Sequence, residues 1–470
     1  MKKITILGAG ESGVGAARLA QKLGYEVWVS ELKTISSKYK DMLEHFSIPY
    51  EEGKHTEARI LSSEIVIRSP GIPNDAPILR QIREHGILVL SEIEFGYRHR
   101  NEDCKIIAIT GSNGKTTTTT MIYELLKFEG FDVGLAGNIG FSFAEMVAFH
   151  PHEWYVLEIS SFQLEDCYDF HPYIAIITNL SANHLDRYQY QMSVYADAKF
   201  RMLQNQTASD YFIYCKDSPD LVKELERIKI RSQKIPFGMK NDNESYAWMD
   251  NSEIIIAMSE KNTSKNKADF SRIATESQKV KGPHNAYNSM AAGITGSLLE
   301  IRKESIRNVL TEFEGIEHRL EFVANVKNVE FYNDSKATTA NAAWYALNST
   351  TGPTIWIAGG VDKGNDYGIL LDIVKSKVKA LIVFGKDRLK IREAFENNVS
   401  LLFDVSTLEE AFQKALEVAS EGNVVLLSPA CASFDLFENY EQRGNLFKSL
   451  VQNYALTVTP ETIESQTEVL

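Results

Sequence analysis

The residues best able to do chemistry cluster in one stretch, Ile106 to Thr120, written IIAITGSNGKTTTTT. An apolar, β-branched run ends in Thr110-Gly111-Ser112-Asn113-Gly114-Lys115-Thr116-Thr117, and a helix-like segment with Met121, Leu125 and Leu126 follows. Strand, glycine loop, lysine and threonine, then helix is the layout of a phosphate-binding loop. Glycines let backbone N–H groups close around an anion at a helix N-terminus. Lys115 supplies a point charge to the outer phosphates, and Thr116 a hydroxyl ligand for Mg²⁺. Gly111 and Gly114 are separated by two residues, where the general motif has four. On this loop alone, an ordinary strand-to-helix turn stays open.

Two more side chains are candidates for the same chemistry, and a third lies just downstream of them. Glu158, in LEISSFQ at 157–163, falls at the end of a strand after the loop. A carboxylate there can ligate Mg²⁺ held by Thr116 and phosphates; a solvated strand-end glutamate is the plainer alternative. His184, in TNLSANHLDR at 178–187, is a candidate metal ligand, although a lone histidine is more often structural. Lys199 lies on a helix just downstream, where a lysine ordinarily faces solvent.

The elements that must position these residues repeat one pattern. Residues 3–8 read as a buried strand, followed by the glycines Gly8, Gly10 and Gly13, an amphipathic helix, and a second strand ending at Glu31. This is a G-x-G-x-x-G unit in β–α–β context. On that motif alone Glu31 accepts hydrogen bonds from a ribose of NAD, and an NAD oxidoreductase stays open. A further strand, 65–67, runs into Arg68-Ser69-Pro70-Gly71. That turn lies where open parallel sheets bind ligands. The first domain is expected over 1–100. The second, 101–314, opens with the phosphate loop and continues with strands near 131–135, 154–158 and 174–178. Residues 239–280 are polar and read as a surface hairpin or variable loops. The third domain, 315–452, alternates again, with strands near 329–332, 354–358, 380–384 and 424–427. A structureless tail is expected over 453–470. The fold class is therefore α/β in three domains: an N-terminal Rossmann-like unit, a central P-loop mononucleotide-binding parallel sheet, and a C-terminal Rossmann-like unit.

Bulk properties narrow the classes. At 470 residues the chain exceeds a single core. Net charge of −13 argues against a nucleic-acid or anionic-membrane surface, so an anionic substrate needs local basic residues. Cys104, Cys167, Cys215 and Cys431 lie far apart without CxxC spacing, which disfavours a metal cluster or disulfide framework and fits a reducing cytoplasm. No apolar run approaches a membrane span, and the short apolar start breaks into glycines too soon for a signal peptide.

Taken together, the motifs resemble the Mur ligase superfamily, ATP-dependent amide-forming ligases of peptidoglycan synthesis. The shared signatures are TGSNGKTTT at 110–118, Glu158, NHLDR at 183–187, Lys199, GPHNAYN at 282–288 and His318-Arg319. GNIG at 137–140, NDSKAT at 333–338, GGVDKG at 359–364 and SPACASFD at 428–435 resemble more narrowly the branch that adds D-glutamate to UDP-N-acetylmuramoyl-L-alanine. The resemblance covers residues 1 to about 450 and implies these roles. Ser12, Ser69 and Gly71 lie near a UDP diphosphate and Glu31 near uridine, in place of NAD. Asn138 and His184 face the muramoyl substrate. Gly111, Asn113, Gly114, Lys115, Thr116 and Thr117 hold ATP. Asn285, Asn288, Arg319 and Asp334 contact its base, phosphate and ribose regions. Lys336, Thr338, Lys363, Ser433, Phe434 and Tyr440 surround D-glutamate, and Lys115, His184, Lys199 and Lys336 are catalytic. Thr116, Glu158, His184 and Lys199 hold Mg²⁺, two ions in all, with Lys199 carbamylated by CO₂. A cytoplasmic monomer is implied, with no nucleic-acid partner and no membrane insertion. A sister ligase adding another amino acid, and an inactive scaffold of the same fold, are the remaining alternatives.

Overall fold

Near-continuous runs of Val, Ile and Leu specify strands buried on both faces, which is the habit of parallel sheets. A computed structural model describes residues 2–182, 185–242, 244–258, 270–279, 282–313, 315, 317–350, 352–362 and 364–458. The side chains of Asp186, Phe270, Asn341 and Tyr345 lie outside this description. Among the described residues there are three sheets. The first contains β1 (Lys3–Leu7), β2 (Glu26–Glu31), β3 (Tyr50–Glu52), β4 (Ile65–Arg68) and β5 (Leu88–Ser91). Their order is β3-β2-β1-β4-β5, all parallel. Strand order reverses between β1 and β4, so their carboxyl ends form a topological switch point. The residue after β1 is Gly8 and the residue after β4 is Ser69.

The second sheet contains β6 (Lys105–Thr110), β7 (Val133–Gly137), β8 (Trp154–Glu158), β9 (Ile174–Ile177), β10 (Tyr211–Cys215), β11 (Gln233–Phe237), β12 (Ala247–Asp250), β13 (Glu253–Ala257) and β14 (Phe270–Ala274). Its order is β14-β13-β12-β11-β10-β9-β6-β8-β7. β6, which feeds the phosphate loop, is flanked in parallel by β8 and β9. The hairpin expected within 239–280 is present, but it is part of this sheet. β12, β13 and β14 pair antiparallel and extend it, and Ile254, Ile255 and Ile256 are buried. A Cβ on Gly293 would overlap Ile256, so the glycine lets the helix Pro283–Leu298 approach β13 closely. The run Ile254-Ile255-Ile256, apolar within a polar stretch, is thus core and not part of a surface hairpin.

The first two sheets belong to one compact unit, Met1–Phe313; the second unit is Glu314–Leu470. Within the first unit the two sheets are joined across the boundary expected near residue 100. The helix Glu11–Lys22 meets the helix Phe143–Phe149, and a Cβ on Gly15 would overlap Ser142. Arg18 pairs with Glu145, its guanidinium 4.0 Å from the Phe46 ring centroid and 4.2 Å from that of Phe149. Glu92, buried at the start of the helix Glu92–His99, accepts hydrogen bonds from Ser142 Oγ and Ala144 N, both 2.6 Å.

The third sheet contains β15 (Glu321–Val326), β16 (Val329–Asn333), β17 (Thr354–Gly359), β18 (Val378–Phe384), β19 (Leu402–Asp404) and β20 (Val424–Leu427), ordered β15-β16-β20-β17-β18-β19. The last strand in the chain thus lies between β16 and β17. β15 is an antiparallel edge strand that the alternation of strands and helices did not reveal. The tail expectation needs correction at its start: the final helix, Tyr440–Val458, runs six residues past 452. Tyr454, Ala455 and Val458 pack on the cluster containing Phe331 and Phe412, so an apolar stripe carries the helix on. Residues 459–470 lie outside the described residues. No described helix is long and apolar enough to cross a membrane.

Candidate active site

The phosphate loop joins β6 to the helix Lys115–Phe128. Gly111 and Gly114 hold φ of 149° and 80°, a region that disfavours side chains. A Cβ on Gly111 would overlap Thr178 Oγ1, and one on Gly114 would lie 2.5 Å from Asn288 Oδ1. The first i→i−4 bond of the helix runs from Thr118 N to Gly114 O, 3.0 Å. The amides of the preceding turn form the anion-binding end. One expectation changes here. Ser112 N and Asn113 N donate to the backbone and side-chain oxygens of Asn179, at 3.1 and 2.9 Å. Those two amides latch the loop to the segment after β9. Lys115 Nζ donates to Gly111 O and Ser112 O, at 2.9 and 3.0 Å, lying across its own loop. Asn288 Oδ1 accepts from Thr118 Oγ1 at 3.1 Å, and Asn288 Nδ2 donates to Asn285 Oδ1 at 3.1 Å. Asn288 therefore stands against the loop, with Asn285 bonded to it from behind.

Glu158 ends β8, in register with Ile109 of β6. It is 1 % exposed. Its Oε1 accepts from Asn138 Nδ2 at 2.7 Å, and its Oε2 is buried with no hydrogen-bond partner among the described residues. A buried carboxylate oxygen without a donor is costly unless a cation satisfies it. With the Thr116 hydroxyl at the head of the neighbouring helix, this donor set of hydroxyl and carboxylate oxygens suits Mg²⁺. Lys199 is not a surface lysine. It is 2 % exposed, and its Nζ donates to Gly111 O at 3.0 Å and Thr110 Oγ1 at 3.4 Å. Burial above all, and then the Lys115 ammonium, hold its pKa well below the usual lysine value; Glu158 opposes them. His184 lies outside the described residues.

At the first switch point, a Cβ on Gly13 would overlap Gly8 O, so the glycine allows close helix–turn packing. Ser12 is half-buried on the first turn of that helix, and Gly71 is exposed. Ser69 Oγ contacts Gly8 O at 3.5 Å. Both oxygens of Glu31 accept backbone amides, from Ala9 at 3.0 Å and Lys33 at 2.9 Å. Ser12, Glu31, Ser69 and Gly71 thus share one loop cluster.

In the second unit the candidates gather at the carboxyl ends of β16, β20 and β17. Asp334, just after β16, accepts from Ser428 Oγ at 2.7 Å and Leu320 N at 3.1 Å. Burial pushes its carboxyl up to about 7, against the pull of these bonds and of Arg319. Lys336 Nζ lies 5.5 Å from the Tyr440 ring centroid. Thr338 is half-buried, Ser433 is buried and Phe434 is exposed. Lys363 lies outside the described residues, although the backbone of Val361, two residues earlier, bridges Ala432 at 2.8 and 3.0 Å. Arg443 was missed from sequence. It is fully buried and donates to Ser335 Oγ at 3.0 Å, Ser335 O at 2.8 Å and Cys431 O at 3.2 Å, tying the Lys336 loop to the Ser433 loop. The signal was available: Arg443 precedes Phe447 by four residues and Val451 by eight, on the buried stripe of its helix.

Three family models match the chain in order: the MurD N-terminal domain over residues 3–78, the Mur ligase middle domain over 109–296, and the Mur ligase glutamate ligase domain over 318–431. The chain is 48% identical over 452 residues to the UDP-N-acetylmuramoylalanine–D-glutamate ligase of Christiangramia forsetii, covering 96% of this chain and 99% of that one. It is 47% identical over 453 residues to the ligase of the same name from Bacteroides fragilis, covering 96% and 100%. Among solved structures, the UDP-N-acetylmuramate-alanine ligase of Thermotoga maritima shares the fold, with a TM-score of 0.61 at 19% identity over 97% of this chain and 100% of that one.

Proposed function

The chain belongs to the Mur ligase family, and we propose that it joins D-glutamate to UDP-N-acetylmuramoyl-L-alanine, converting ATP to ADP and phosphate in a cytoplasmic step of peptidoglycan synthesis. The choice of amino acid rests on the relatives, which share 46–48% identity over nearly their full length. The chemistry rests on Glu158, whose buried Oε2 has no hydrogen-bond partner among the described residues and stands at a strand end beside the phosphate loop.

Amide formation from a carboxylate in water is uphill, because the carboxylate is a weak electrophile without a leaving group. In the proposed reaction the L-alanyl carboxylate attacks the γ-phosphorus of ATP, giving an acyl phosphate and ADP. The D-glutamate amine then attacks the acyl carbon, loses a proton, and expels phosphate. Bound magnesium supplies charge cancellation on the phosphates during the first step. Thr116 and Glu158 offer oxygens for it. Gly111, Asn113, Gly114 and Thr117 shape the loop, while Lys115 swings from its own loop carbonyls to the outer phosphates. Asn285, Asn288, Arg319 and Asp334 take the remainder of ATP. Ser12, Glu31, Ser69 and Gly71 take the UDP portion; Asn138 and His184 take the muramoyl portion. Lys336, Thr338, Lys363, Ser433, Phe434 and Tyr440 take D-glutamate, the lysines matching its carboxylates.

Lys199 fits a carbamate. Burial favours its neutral amine, and only that form adds to CO₂; the adduct releases a proton and leaves an anion where a cation stood. Such an anion, with His184, can hold a second magnesium.

Phosphate release with UDP-N-acetylmuramoyl-L-alanine, ATP and a panel of amino acids tests the proposal. Release with D-glutamate alone supports it. Release with L-lysine or meso-diaminopimelate but not D-glutamate would replace it with a sister ligase.

A further inference from the structure

One short segment after β9 touches two phosphate-binding loops. At its start, Thr178 Oγ1 and Asn179 Nδ2 donate to Asn113 O at 2.5 and 3.0 Å, and Ser181 N donates to Ser112 Oγ at 2.9 Å. These contacts fix the loop assigned to ATP. At its end is the 3₁₀ turn Leu185–Tyr188. From it Arg187 crosses to the first sheet and donates to Pro70 O at 2.7 Å and Ile72 O at 3.0 Å. These carbonyls flank Gly71, in the turn that follows β4.

Arg187 is held on the second-sheet side by two contacts. Its guanidinium lies 4.1 Å from the Phe162 ring centroid and 3.3 Å from Glu165 Oε2. The same carboxylate takes Arg68 at 2.8 Å and Asn74 Nδ2 at 2.8 Å. Arg68 also donates to Ile72 O at 3.0 Å and pairs with Asp166 at 2.5 Å, while Arg83 reaches Asp166 at 3.5 Å. Three guanidinium groups therefore meet two carboxyl groups under this turn.

We propose that Arg187 is a positioning residue for the ligase reaction, holding the Ser69–Pro73 turn in place against Phe162 and Glu165 on the second-sheet side. The inference rests on the functional reading above, which gives the turn its nucleotide-sugar diphosphate. A planar fork that spans two carbonyls is a role that lysine cannot copy, although it keeps the charge.

The test uses the full chain, with Arg187→Lys and Arg187→Gln, and with Arg302→Gln, at an exposed side chain paired with Glu129, as a surface control. KM for UDP-N-acetylmuramoyl-L-alanine is expected to rise about tenfold in Arg187→Lys and further in Arg187→Gln, the effect of losing charge-assisted bonds. KM for D-glutamate and the Kd for ATP should stay within about twofold, and melting temperatures close to wild type. Unchanged nucleotide-sugar KM in both variants, in an enzyme whose wild type binds that substrate, would overturn the inference alone. So would an equal rise in all three substrate constants accompanied by loss of thermal stability, which marks a merely structural role. Failure of the wild type itself to bind the nucleotide sugar would overturn the functional reading, and this inference with it.

Discussion

Lys199 Nζ lies 3.0 Å from the carbonyl oxygen of Gly111, so a buried amine faces the base of the phosphate loop. An ammonium there has little water and, after that, Lys115 as a neighbour of like charge, which is why its proton is held weakly. The carbamate proposed above would reverse the sign of the group and leave an anion able to face a metal ion. Lys199→Ala is expected to lower kcat at least about a hundredfold, the scale of losing a metal-positioning group. Added formate or acetate should restore part of the activity by occupying the vacated anion position. Full activity without additive, measured by phosphate release, would remove Lys199 from the site.

Gly114 and Gly86 both hold positive φ, of 80° and 69°, but only one of them has neighbours. A Cβ at Gly114 would press on Asn288 Oδ1 at 2.5 Å, whereas nothing lies within 4 Å of one at Gly86. Each alanine substitution carries a backbone cost of about 1 kcal/mol. Gly114→Ala should also displace Asn288 from Thr118 and raise KM for ATP about tenfold or more. Gly86→Ala should lower the melting temperature by a few degrees at most and leave KM for ATP unchanged. Equal KM values for the two variants would show that the loop tolerates the added methyl group.

The loop and Glu158 were legible as candidates because each sits at the end of an apolar strand, so position along the chain suggested their chemistry; Asp334 was named only through the family resemblance. What was not legible was partnership. Nothing in the spacing of Asn179 showed that it would occupy two amides of the phosphate loop, and nothing near Lys199 showed that it would be buried. Those facts depend on β9 lying beside β6 across the sheet, a pairing with no local signal. The tail misled for the opposite reason: Tyr454, Ala455 and Val458 form a stripe too sparse to stand out in a polar context. In 239–280 the apolar run at 254–256 was visible, and what it packs on was not.

Arg443 offers a test of how the second unit's loops are held. Its guanidinium donates to Ser335 Oγ, Ser335 O and Cys431 O without solvent contact. Burial lowers its pKa to about 10, so it remains a cation at neutral pH. Arg443→Lys keeps a charge but offers one point where a fork is needed. KM for D-glutamate should rise, because the Lys336 and Ser433 loops lose their common tie. Arg443→Met should destabilise the unit by about 3 kcal/mol, the scale of removing one partner of a buried charged network. Wild-type kinetics in Arg443→Lys would show that the two loops need no fork between them.

Glu92 gives the stability of the first unit a pH dependence of definite sign. Burial pushes its carboxyl up from 4.5 to about 7, although Ala144 N and Ser142 Oγ favour the ionised form. Its Oε2 has no acceptor or donor among the described residues. The folded state thus keeps a proton that the unfolded state has released between pH 4.5 and about 7. Stability from this group is complete below the unfolded pKa and is lost as pH rises through the folded one, a total of about 3 kcal/mol at most. Glu92→Gln mimics the protonated carboxyl and cannot ionise. The variant should therefore gain on the wild type as pH climbs from 5 to 8, with kcat unchanged because Glu92 touches neither phosphate loop. Chemical denaturation at four pH values across that range measures the difference. A gap between variant and wild type that stays constant with pH would mean that Glu92 is ionised in the folded protein throughout.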